Sequence, residues 1–407
     1  MKRKILLFLV SLCVFTGCSP DKLDNKVVDT TVKLPELKQE NIIENQTEDE
    51  LVLDDVEEIV AEEIIPEEYN LSLVAAGDNL YHKTVYKKGL KDDGTYNFDF
   101  VYENIKPFIE SFDLAIINQE TVLVEDRNNI SSYPCFGTPQ EVGDAIINTG
   151  FDVVLNATNH TYDKKETGVL NSIAFWDNYP DITYLGIHKD EDDFNTVKII
   201  EKNNIKIALL NYTYGLNGFV IPDEKYYLVD TLYDRDKIQK DLEFAEQNAD
   251  ITIVFPHWGN EYQYKESSNQ IEWAQFFTQY GADIIIGAHP HVVEPVKYIQ
   301  SENGNISLCY YSLGNFVSGQ DEKPRILGGL ATLNIKKIVD GENVEITIEN
   351  ANFIPTVTHY NSNEHTIYLL SDYNDELANN TRLGASCEYL WNLWNEINST
   401  TEINLNN

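Results

Sequence analysis

The sequence predicts an α/β fold, because short apolar runs and helical patterns alternate along most of the chain. From residue 71 onwards, runs rich in β-branched residues recur, and segments with apolar residues at helical spacing lie between them. Polar clusters follow these runs directly, as at the carboxyl edge of an α/β sheet, where ligands collect. Together these observations predict a layered α/β domain.

The predicted strands and helices can be assigned in chain order. The candidate strands are residues 71–76, 114–118, 153–156, 205–211, 251–256, 284–287 and 307–312. The candidate helices between them are residues 100–112, 141–149, 168–179, 235–249 and 270–280. Asp340-Gly341 is a turn signal that predicts a late hairpin of residues 329–339 and 344–348. A Trp-rich helical pattern over residues 388–397 predicts a helix that packs back on the domain.

The first 17 residues have the features of a signal peptide. Lys2-Arg3-Lys4 is a basic segment, and the apolar run that follows is too short to span a bilayer comfortably. The run ends in Thr16-Gly17-Cys18, which resembles the bacterial lipobox and implies cleavage before Cys18 and its lipidation. The alternative is an ordinary signal peptide with an incidental cysteine. We expect a lipid anchor at Cys18 on the extracytoplasmic face of the bacterial cell membrane.

Residues 18–68 predict an acidic linker between that anchor and the folded domain. Between Asp21 and Glu68 there are seventeen acidic residues and four lysines, a net charge of −13. This composition favours a solvated spacer, although such a run can also bind cations or a basic partner. The whole chain of 407 residues has a net charge of −37, which argues against a nucleic-acid binder. An anionic substrate would need a local reversal of this field.

Six polar clusters lie directly after predicted strands. They are Gly77-Asp78-Asn79, Asn118-Gln119-Glu120, Asn159-His160 with Asp163, His257-Trp258-Gly259-Asn260-Glu261, His289-Pro290-His291 and Ser312-Leu313-Gly314-Asn315-Phe316. Taken singly, most are explained more simply as turns, helix caps or hydrogen-bonded pairs. His289 and His291 are harder to explain so, because alternate residues of an extended segment point the same way and can converge on one ion.

Taken together, the clusters predict a divalent-metal site. Five of the eight histidines lie in these segments: His82, His160, His257, His289 and His291. Asp, Glu, Asn and His together form a ligand set suited to Mn, Fe or Zn. A carboxylate that bridges two ions can hold them about 3.5–4 Å apart, which is the geometry of two-metal phosphoryl displacement.

The order of the motifs resembles the poly-γ-glutamate capsule-synthesis (CapA/PgsA) family, which is placed in the calcineurin-like metallophosphoesterase superfamily. The motifs are Gly77-Asp78, Asn118-x-Glu120, Asn159-His160-x-x-Asp163, His257-Trp258-Gly259-x-Glu261, Gly287-Ala288-His289-Pro290-His291 and Ser312-Leu313-Gly314-Asn315-Phe316. The resemblance covers roughly residues 71–317 and implies a four-layer α/β/β/α sandwich. We therefore expect this domain at residues 69–360. Residues 361–407 are expected to form an extension that packs on it or is partly flexible.

The resemblance also implies two divalent ions, Mn, Fe or Zn. Glu120 stands where the superfamily has a bridging Asp and would bridge the ions through a longer side chain. The other ligands follow by position: Asp78 and His291 for the first ion, and Asn159, His257 and His289 for the second.

By the same resemblance, His160 matches the histidine that protonates the leaving oxygen, and Asp163 is placed to orient it. The superfamily's first motif has a histidine where this chain has Leu80, so His82 is a candidate substitute. Further candidates for metal or substrate contacts are Asn118, Trp258, Glu261, Asn315 and Arg325. Arg325 is a possible anion contact, although a lone arginine in a loop is more often a surface charge.

Three functions are compatible with these residues. The first is a cell-envelope lipoprotein of poly-γ-glutamate or capsule polymer synthesis, export or anchoring, with a metallophosphoesterase-like metal site. The second is a metal-dependent phosphoesterase that acts on another envelope or nucleotide substrate. The third is a non-catalytic polymer-binding module. The expected partners are the membrane, an anionic polymer or phosphate ester, and polymer-synthase membrane proteins, but not nucleic acid.

Overall fold

The structure, a computed structural model, describes residues 65–403. The expected signal peptide, Cys18 and most of the predicted acidic linker lie outside this range. The strands are β1 Glu67–Asn79, β2 Leu114–Asn118, β3 Leu123–Val124, β4 Thr138–Pro139, β5 Val153–Leu155, β6 Thr183–Leu185, β7 Lys198–Lys202, β8 Ile205–Thr213, β9 Ile251–His257, β10 Ile284–Ile286, β11 Val293–Gln300, β12 Ile306–Leu313, β13 Asn315–Val317, β14 Leu327–Asp340, β15 Asn343–Tyr360 and β16 His365–Leu369. The helices are α1 Lys83–Gly89, α2 Asp99–Tyr102, α3 Lys106–Ile109, α4 Glu141–Thr149, α5 Lys165–Trp176, α6 Glu191–Phe194, α7 Arg235–Asn248, α8 Ser268–Gln279, α9 Asp375–Asn380 and α10 Cys387–Ile397.

Two large sheets carry all of these strands except β3 and β4, which pair with each other. The first has the order β16-β15-β14-β1-β2-β5-β6, with β13 paired to the end of β1. The second has the order β11-β12-β10-β9-β8-β7. The inner strands are parallel within each sheet, from β1 to β6 in the first and from β8 to β12 in the second. The β14–β15 hairpin, which the Asp340-Gly341 turn predicts, lies antiparallel on β1.

Strand β1 shows why its apolar run is continuous rather than alternating. Leu71, Leu73 and Ala75 face the large apolar cluster between the two sheets. Val74 and Ala76 face a second apolar cluster under helices α2 to α5. Successive side chains of a strand point to opposite faces, so both faces of this sheet are buried.

The apolar clusters define four layers. One cluster combines residues of β1, β2 and β5 with residues of β8, β9, β10 and β12, and therefore lies between the sheets. A second packs helices α2 to α5 on the outer face of the first sheet, and a third packs α7 and α8 on the outer face of the second. The order is α/β/β/α, which confirms the predicted sandwich.

The structure divides one of the predicted helices. The helix expected at residues 100–112 is two short helices, α2 and α3, and Pro107 lies in the first turn of α3. Proline has no amide proton to continue a helical ladder, so it fits at a helix start and not inside one. The C-terminal helix α10 is present, and its Leu390, Trp394 and Ile397 join the cluster between the sheets. Within residues 65–403, no helix is both long and apolar enough to cross a membrane.

Asn211, near the end of β8, ties the carboxyl ends of the two sheets together. Its Oδ1 accepts the backbone N–H groups of Asn156 and Ala157, just after β5, at 3.1 and 2.8 Å. Its Nδ2 donates to the carbonyl of Phe255 in β9 at 2.8 Å. One side chain therefore fixes the strand ends from which the predicted site residues project.

Candidate metal centre

Asp78 and Glu120 form the carboxylate centre of the site. Asp78 lies at the end of β1 and Glu120 follows the neighbouring parallel strand β2, and both are buried. The Nδ1 atom of His291 lies 3.0 Å from Asp78 Oδ2, and its Nε2 lies 3.7 Å from Glu120 Oε1. One ligand atom from each of these three residues lies within 4.8 Å of the others. They are close enough to share one cation.

A second group of possible ligands combines Glu120 with His257 and His289. The Nε2 atom of His257 lies 3.9 Å from Glu120 Oε1 and 3.0 Å from Asn159 Oδ1. Glu120 belongs to both groups, so its carboxylate stands where it can bridge two cations. A third group joins Glu261 to His289 and His291, and Glu261 is exposed at the outer side of the site.

Unpaired buried atoms show that these residues fit a divalent metal. Both carboxylate oxygens of Glu120 and the Nδ1 atom of His289 are buried and have no hydrogen-bond partner. Native proteins rarely leave such atoms without a partner, because the lost solvation is not recovered. A divalent cation would satisfy them, and the mixed oxygen and nitrogen donors suit Mn, Fe or Zn.

Burial and mutual charge set the protonation of this cluster. Burial raises the pKa of Glu120 well above its ordinary value, against the opposing charge of His291. Burial lowers the pKa of His257 and of His289, and the neighbouring histidines lower both further. Burial alone would lower the pKa of His291, but Glu120 and Asp78 outweigh it and raise its pKa to about 9. His257 and His289 are thus neutral, the form in which imidazole binds a metal.

The backbone around the histidines is held in an uncommon conformation. His289 has φ 101° and His291 has φ 59°, in the region that favours glycine. Gly77 allows β1 to approach the loop after β12, since a Cβ atom there would lie 2.1 Å from the carbonyl oxygen of Gly314. The following amide, of Asp78, donates to that same oxygen at 2.9 Å. Such local strain is typical of ligand-binding sites, where the surrounding packing maintains it.

His160 and Asp163 form a hydrogen-bonded pair beside the metal groups. The Nδ1 atom of His160 lies 2.7 Å from Asp163 Oδ2, which also accepts the backbone N–H of Phe136 at 2.6 Å. The Phe136 ring packs edge-on against the imidazole, with 4.7 Å between centroids. His160 is near enough to His257 and His289 to lower the pKa of each. We assign a hydrogen bond in which Nδ1–H of His160 donates to Asp163. The Nε2 atom of His160 is then the one available for proton transfer.

Asn118 and Asn315 hold the ligands in place. The Nδ2 atom of Asn118 donates to Asp78 Oδ1 at 2.9 Å and lies 3.5 Å from His257 Nδ1. The Oδ1 atom of Asn315 lies 3.1 Å from His291 Nδ1, and its Nδ2 donates to the carbonyl of Arg325 at 2.9 Å. Both amides therefore contact predicted ligands.

His82 and Trp258 do not join the ligand groups. Neither contributes to the three groups found among residues 65–403. The Nδ1 atom of His82 accepts the N–H of Gly319 at 3.2 Å, and burial lowers the pKa of His82 to about 4. Trp258 is fully buried against helix α8, and its indole N–H donates to the carbonyl of Tyr311 at 2.9 Å. The structure thus gives Trp258 a core position instead of a ligand contact.

Arg325 supplies a positive charge near the first metal group. Its guanidinium carbon lies 3.6 Å from the ring centroid of Tyr262, and that ring lies 6.0 Å from the ring of His291. Its Nη2 atom is paired with the exposed Glu322 at 2.9 Å. This position is compatible with the predicted anion contact.

Residues on the loop after β8 also lie at the site, and the sequence did not predict them. The Tyr214 ring lies 4.6 Å from the His289 ring, and Asn217 accepts a hydrogen bond from Asn159 at 3.1 Å. Strand β8 runs parallel to β9 and ends at the same edge. The sequence could have indicated these residues, because the polar residues at 211–217 lie at and after the end of a predicted strand, as the six clusters do.

The four-layer fold and the buried carboxylate–histidine cluster define an α/β protein with a candidate metal centre at the carboxyl ends of its strands. Residues 72–320 match the family described as "Bacterial capsule synthesis protein PGA_cap". The match covers more than half of the chain, which belongs to this family. The resemblance inferred from the motifs is confirmed.

Two curated relatives agree with this assignment. The capsule biosynthesis protein CapA of Bacillus anthracis is 29% identical over 234 residues, 55% of this chain and 55% of the relative. The PGA biosynthesis protein CapA of Bacillus subtilis (strain 168) is 27% identical over 234 residues, 54% of this chain and 57% of the relative. The chain thus spans about half the length of the curated relatives it matches. Among solved structures, the NAD nucleotidase of Haemophilus influenzae is 12% identical with a TM-score of 0.44, covering 74% of this chain and 53% of that one.

Proposed function

We propose that this chain is a metal-dependent phosphoester hydrolase that acts in capsule polymer synthesis at the cell envelope. The observation that supports this most is the pair of possible metal groups that share the buried, unpaired carboxylate of Glu120. A carboxylate shared by two ions can hold them at the separation used in two-metal phosphoryl chemistry. The His160–Asp163 pair beside these groups supplies a proton donor.

Each residue of the cluster has a proposed role. The first ion would be held by Asp78, Glu120 and His291, and the second by Glu120, Asn159, His257 and His289. Divalent ions bound here would supply Lewis acidity toward a phosphate ester and its attacking water. Asn118 and Asn315 keep Asp78 and His291 oriented through the hydrogen bonds described above.

His160 would protonate the leaving group. In the proposed hydrolysis, a water oxygen forms a bond to phosphorus as the bond from phosphorus to the leaving oxygen breaks. Nε2 of His160 would donate its proton to that leaving oxygen, the attacking water would release one proton to solvent, and His160 would regain a proton from solvent after product release. Asp163 accepts the hydrogen bond from the Nδ1–H of His160 and so holds the ring in place. Arg325 would offer a charge-assisted contact to an anionic part of the substrate.

The proposed location is the extracytoplasmic face of the bacterial membrane. The lipobox-like Thr16-Gly17-Cys18 supports it, as does membership of a family described by capsule synthesis. The proposed substrate is a phosphate ester or anionic polymer of the envelope, and the proposed partners are polymer-synthase membrane proteins. Membrane fractionation tests the anchor, because Cys18→Ser should release the protein from the membrane fraction.

Metal content is the primary test of the site. The purified full-length chain should contain Mn, Fe or Zn by elemental analysis, and His289→Ala and Asn159→Ala should contain markedly less. His365→Ala is a matched control, because His365 is equally buried but lies outside the three ligand groups. Equal metal in the wild type and both site variants would show that the ligand assignment is wrong.

Hydrolysis of a simple ester tests the reaction. The wild type should hydrolyse 4-nitrophenyl phosphate or its diester. His160→Ala should be slower by about 10²- to 10⁴-fold, the usual contribution of general acid catalysis, with its metal content unchanged. A wild type that binds metal but hydrolyses neither ester would contradict the hydrolase proposal. Loss of surface polymer on deletion of the gene would then favour a polymer-binding role.

A further inference from the structure

We propose that Asn217 is a positioning residue that fixes the side-chain amide of Asn159 with its oxygen toward the metal groups. This inference rests on the proposed metal site and adds to it a residue from the loop after β8. Its basis is a side chain–side chain hydrogen bond in which Asn159 Nδ2 donates to Asn217 Oδ1 at 3.1 Å.

The amide of Asn159 has two ends of nearly equal size but different chemistry. Only the oxygen can bind a cation, because an amide nitrogen has no available lone pair. Oδ1 lies 3.0 Å from His257 Nε2, so both atoms face the same point. A partner that accepts from Nδ2 therefore favours the orientation in which Asn159 presents its oxygen as a ligand atom. The Oδ1 atom of Asn217 is such a partner.

The local sequence explains why Asn217 can reach this position. Asn217 has φ 50° and Gly218 has φ 78°, and the amide of Phe219 donates to the carbonyl of Leu216 at 2.8 Å. Positive φ at both central residues is typical of a type I′ turn, for which Asn-Gly is the favoured pair. Leu216 is buried in an apolar cluster with α5, and the Lys165 ammonium lies over the Phe219 ring at 3.1 Å.

Asn217 also lies against His160, but that contact is not the hydrogen bond that matters here. Its Nδ2 is 3.2 Å from His160 Nδ1, while Asp163 Oδ2 is 2.7 Å from the same atom. The shorter contact is to a carboxylate, so we assign the proton to Nδ1 of His160, which donates it in a hydrogen bond to Asp163. The nitrogen end of the Asn217 amide lies toward His160, so its Oδ1 lies on the side of Asn159 and accepts from Asn159 Nδ2.

Two substitutions distinguish the loss of the hydrogen-bond acceptor at Asn217 from a disruption of the turn. Asn217→Gly keeps the positive φ without strain and removes the acceptor, whereas Asn217→Asp keeps an oxygen in the same place. We expect Asn217→Gly to weaken Mn²⁺ binding by about 10- to 100-fold, the usual effect of losing a group that orients a ligand. Asn217→Asp should bind Mn²⁺ with an affinity within about threefold of that of the wild type, or more tightly. Titration calorimetry of Mn²⁺ into the metal-free full-length chain gives both values.

The control is Asn350→Gly. Asn350 has the same φ of 50° but lies exposed on β15, so its substitution should leave Mn²⁺ affinity unchanged. Wild-type affinity in Asn217→Gly would overturn the inference and leave the proposed function standing. Equal weakening in Asn217→Gly and Asn217→Asp would also overturn it, because the acceptor would then not matter. If the wild type binds no divalent metal, the metal site and this inference both fail.

Discussion

Glu120 is buried in a way that disfavours folding of the metal-free protein but suits a bound cation. Its carboxyl group is buried, both of its oxygens are unpaired, and burial raises its pKa well above the ordinary value. Without a cation, folding near neutral pH must therefore protonate this group or leave a charge buried. Either outcome costs free energy, which metal binding would offset.

Glu120→Gln should therefore stabilise the metal-free protein while weakening metal binding. A raised carboxyl pKa destabilises the folded state above pH 4.5, and glutamine does not titrate. In chelator, the free energy of unfolding of Glu120→Gln should exceed that of wild type by about 1–3 kcal/mol at pH 7, with little difference near pH 4.5. Urea denaturation measures both values. Glu349→Gln, at an exposed position of β15, should change neither, and a Glu120→Gln protein no more stable than wild type at pH 7 would contradict the argument.

Single residues were predictable from the sequence where strand ends alone determine their position. Asp78, Glu120, His257 and the two histidines of His289-Pro290-His291 met this condition, and the structure brings them together. Trp258 did not, because the residue after His257 points to the opposite side of the strand and enters the core. The contact of Asn217 with Asn159 depends on how a turn folds back over the site, which spacing along the chain does not encode.

The predicted elements were most accurate in the buried, parallel parts of the sheets. All seven candidate strands are present, because strands covered on both faces leave continuous apolar runs in the sequence. The strands that were not predicted are short or lie at a sheet edge, and β7 and β11 are the two edge strands of the second sheet. Lys198–Lys202 is partly exposed and mixed in polarity, and Val293–Gln300 contains Pro295, which an edge strand tolerates.

A buried ion cluster joins helix α6 to the strand ends. His188, just after β6, lies 2.6 Å from Asp230 through Nε2 and 3.8 Å from Asp193 of α6 through Nδ1. Lys237 of α7 lies 3.4 Å from Asp230, and Lys198 of β7 lies 2.9 Å from Asp193. Burial alone would lower the pKa of His188, but the two aspartates outweigh it and raise its pKa to about 9.

This cluster should make stability fall between pH 6.5 and about 9. A histidine with a raised pKa contributes its full stabilisation below its unfolded pKa of 6.5 and loses it as pH rises through the folded value. The loss should approach about 3 kcal/mol in the free energy of unfolding. His188→Gln can still donate to Asp230 but does not titrate, so denaturant unfolding at pH 6.5 and 9 should show a smaller decrease for this variant. The same decrease in both proteins would exclude His188 as its source.

At the scale of the whole molecule, the negative charge conflicts with the proposed anionic substrate. The chain has 67 acidic and 30 basic residues, and the site itself contains Asp78, Glu120, Asp163 and Glu261. A polyanion approaching this surface is repelled over roughly the Debye length, about 8–10 Å at physiological salt. Bound cations would reverse the field locally, which makes the metal a condition for recognition as well as for chemistry.

Metal removal should therefore abolish binding of an anion. Inorganic phosphate should bind the Mn²⁺-loaded chain and not the chain treated with chelator, as measured by equilibrium dialysis. Because the long-range force is repulsive, the association rate of an anionic polymer should rise with added salt, opposite to the behaviour of a basic polyanion-binding protein. Equal phosphate binding before and after chelation would contradict this role of the metal.

The wide separation of the site residues along the chain has a consequence for metal acquisition. His289 and Asp78 are 211 positions apart in the sequence, yet the amide of His289 donates to Asp78, and β13 pairs with β1 directly beside Asp78. Bringing such distant residues together costs loop-closure entropy, so the full ligand set exists only once the chain has folded. Which metal such a set takes depends on metal availability as well as on geometry and ligand type. The identity of the bound ion would therefore depend on the compartment in which folding is completed. An exported chain would take its ion from outside the cytoplasm.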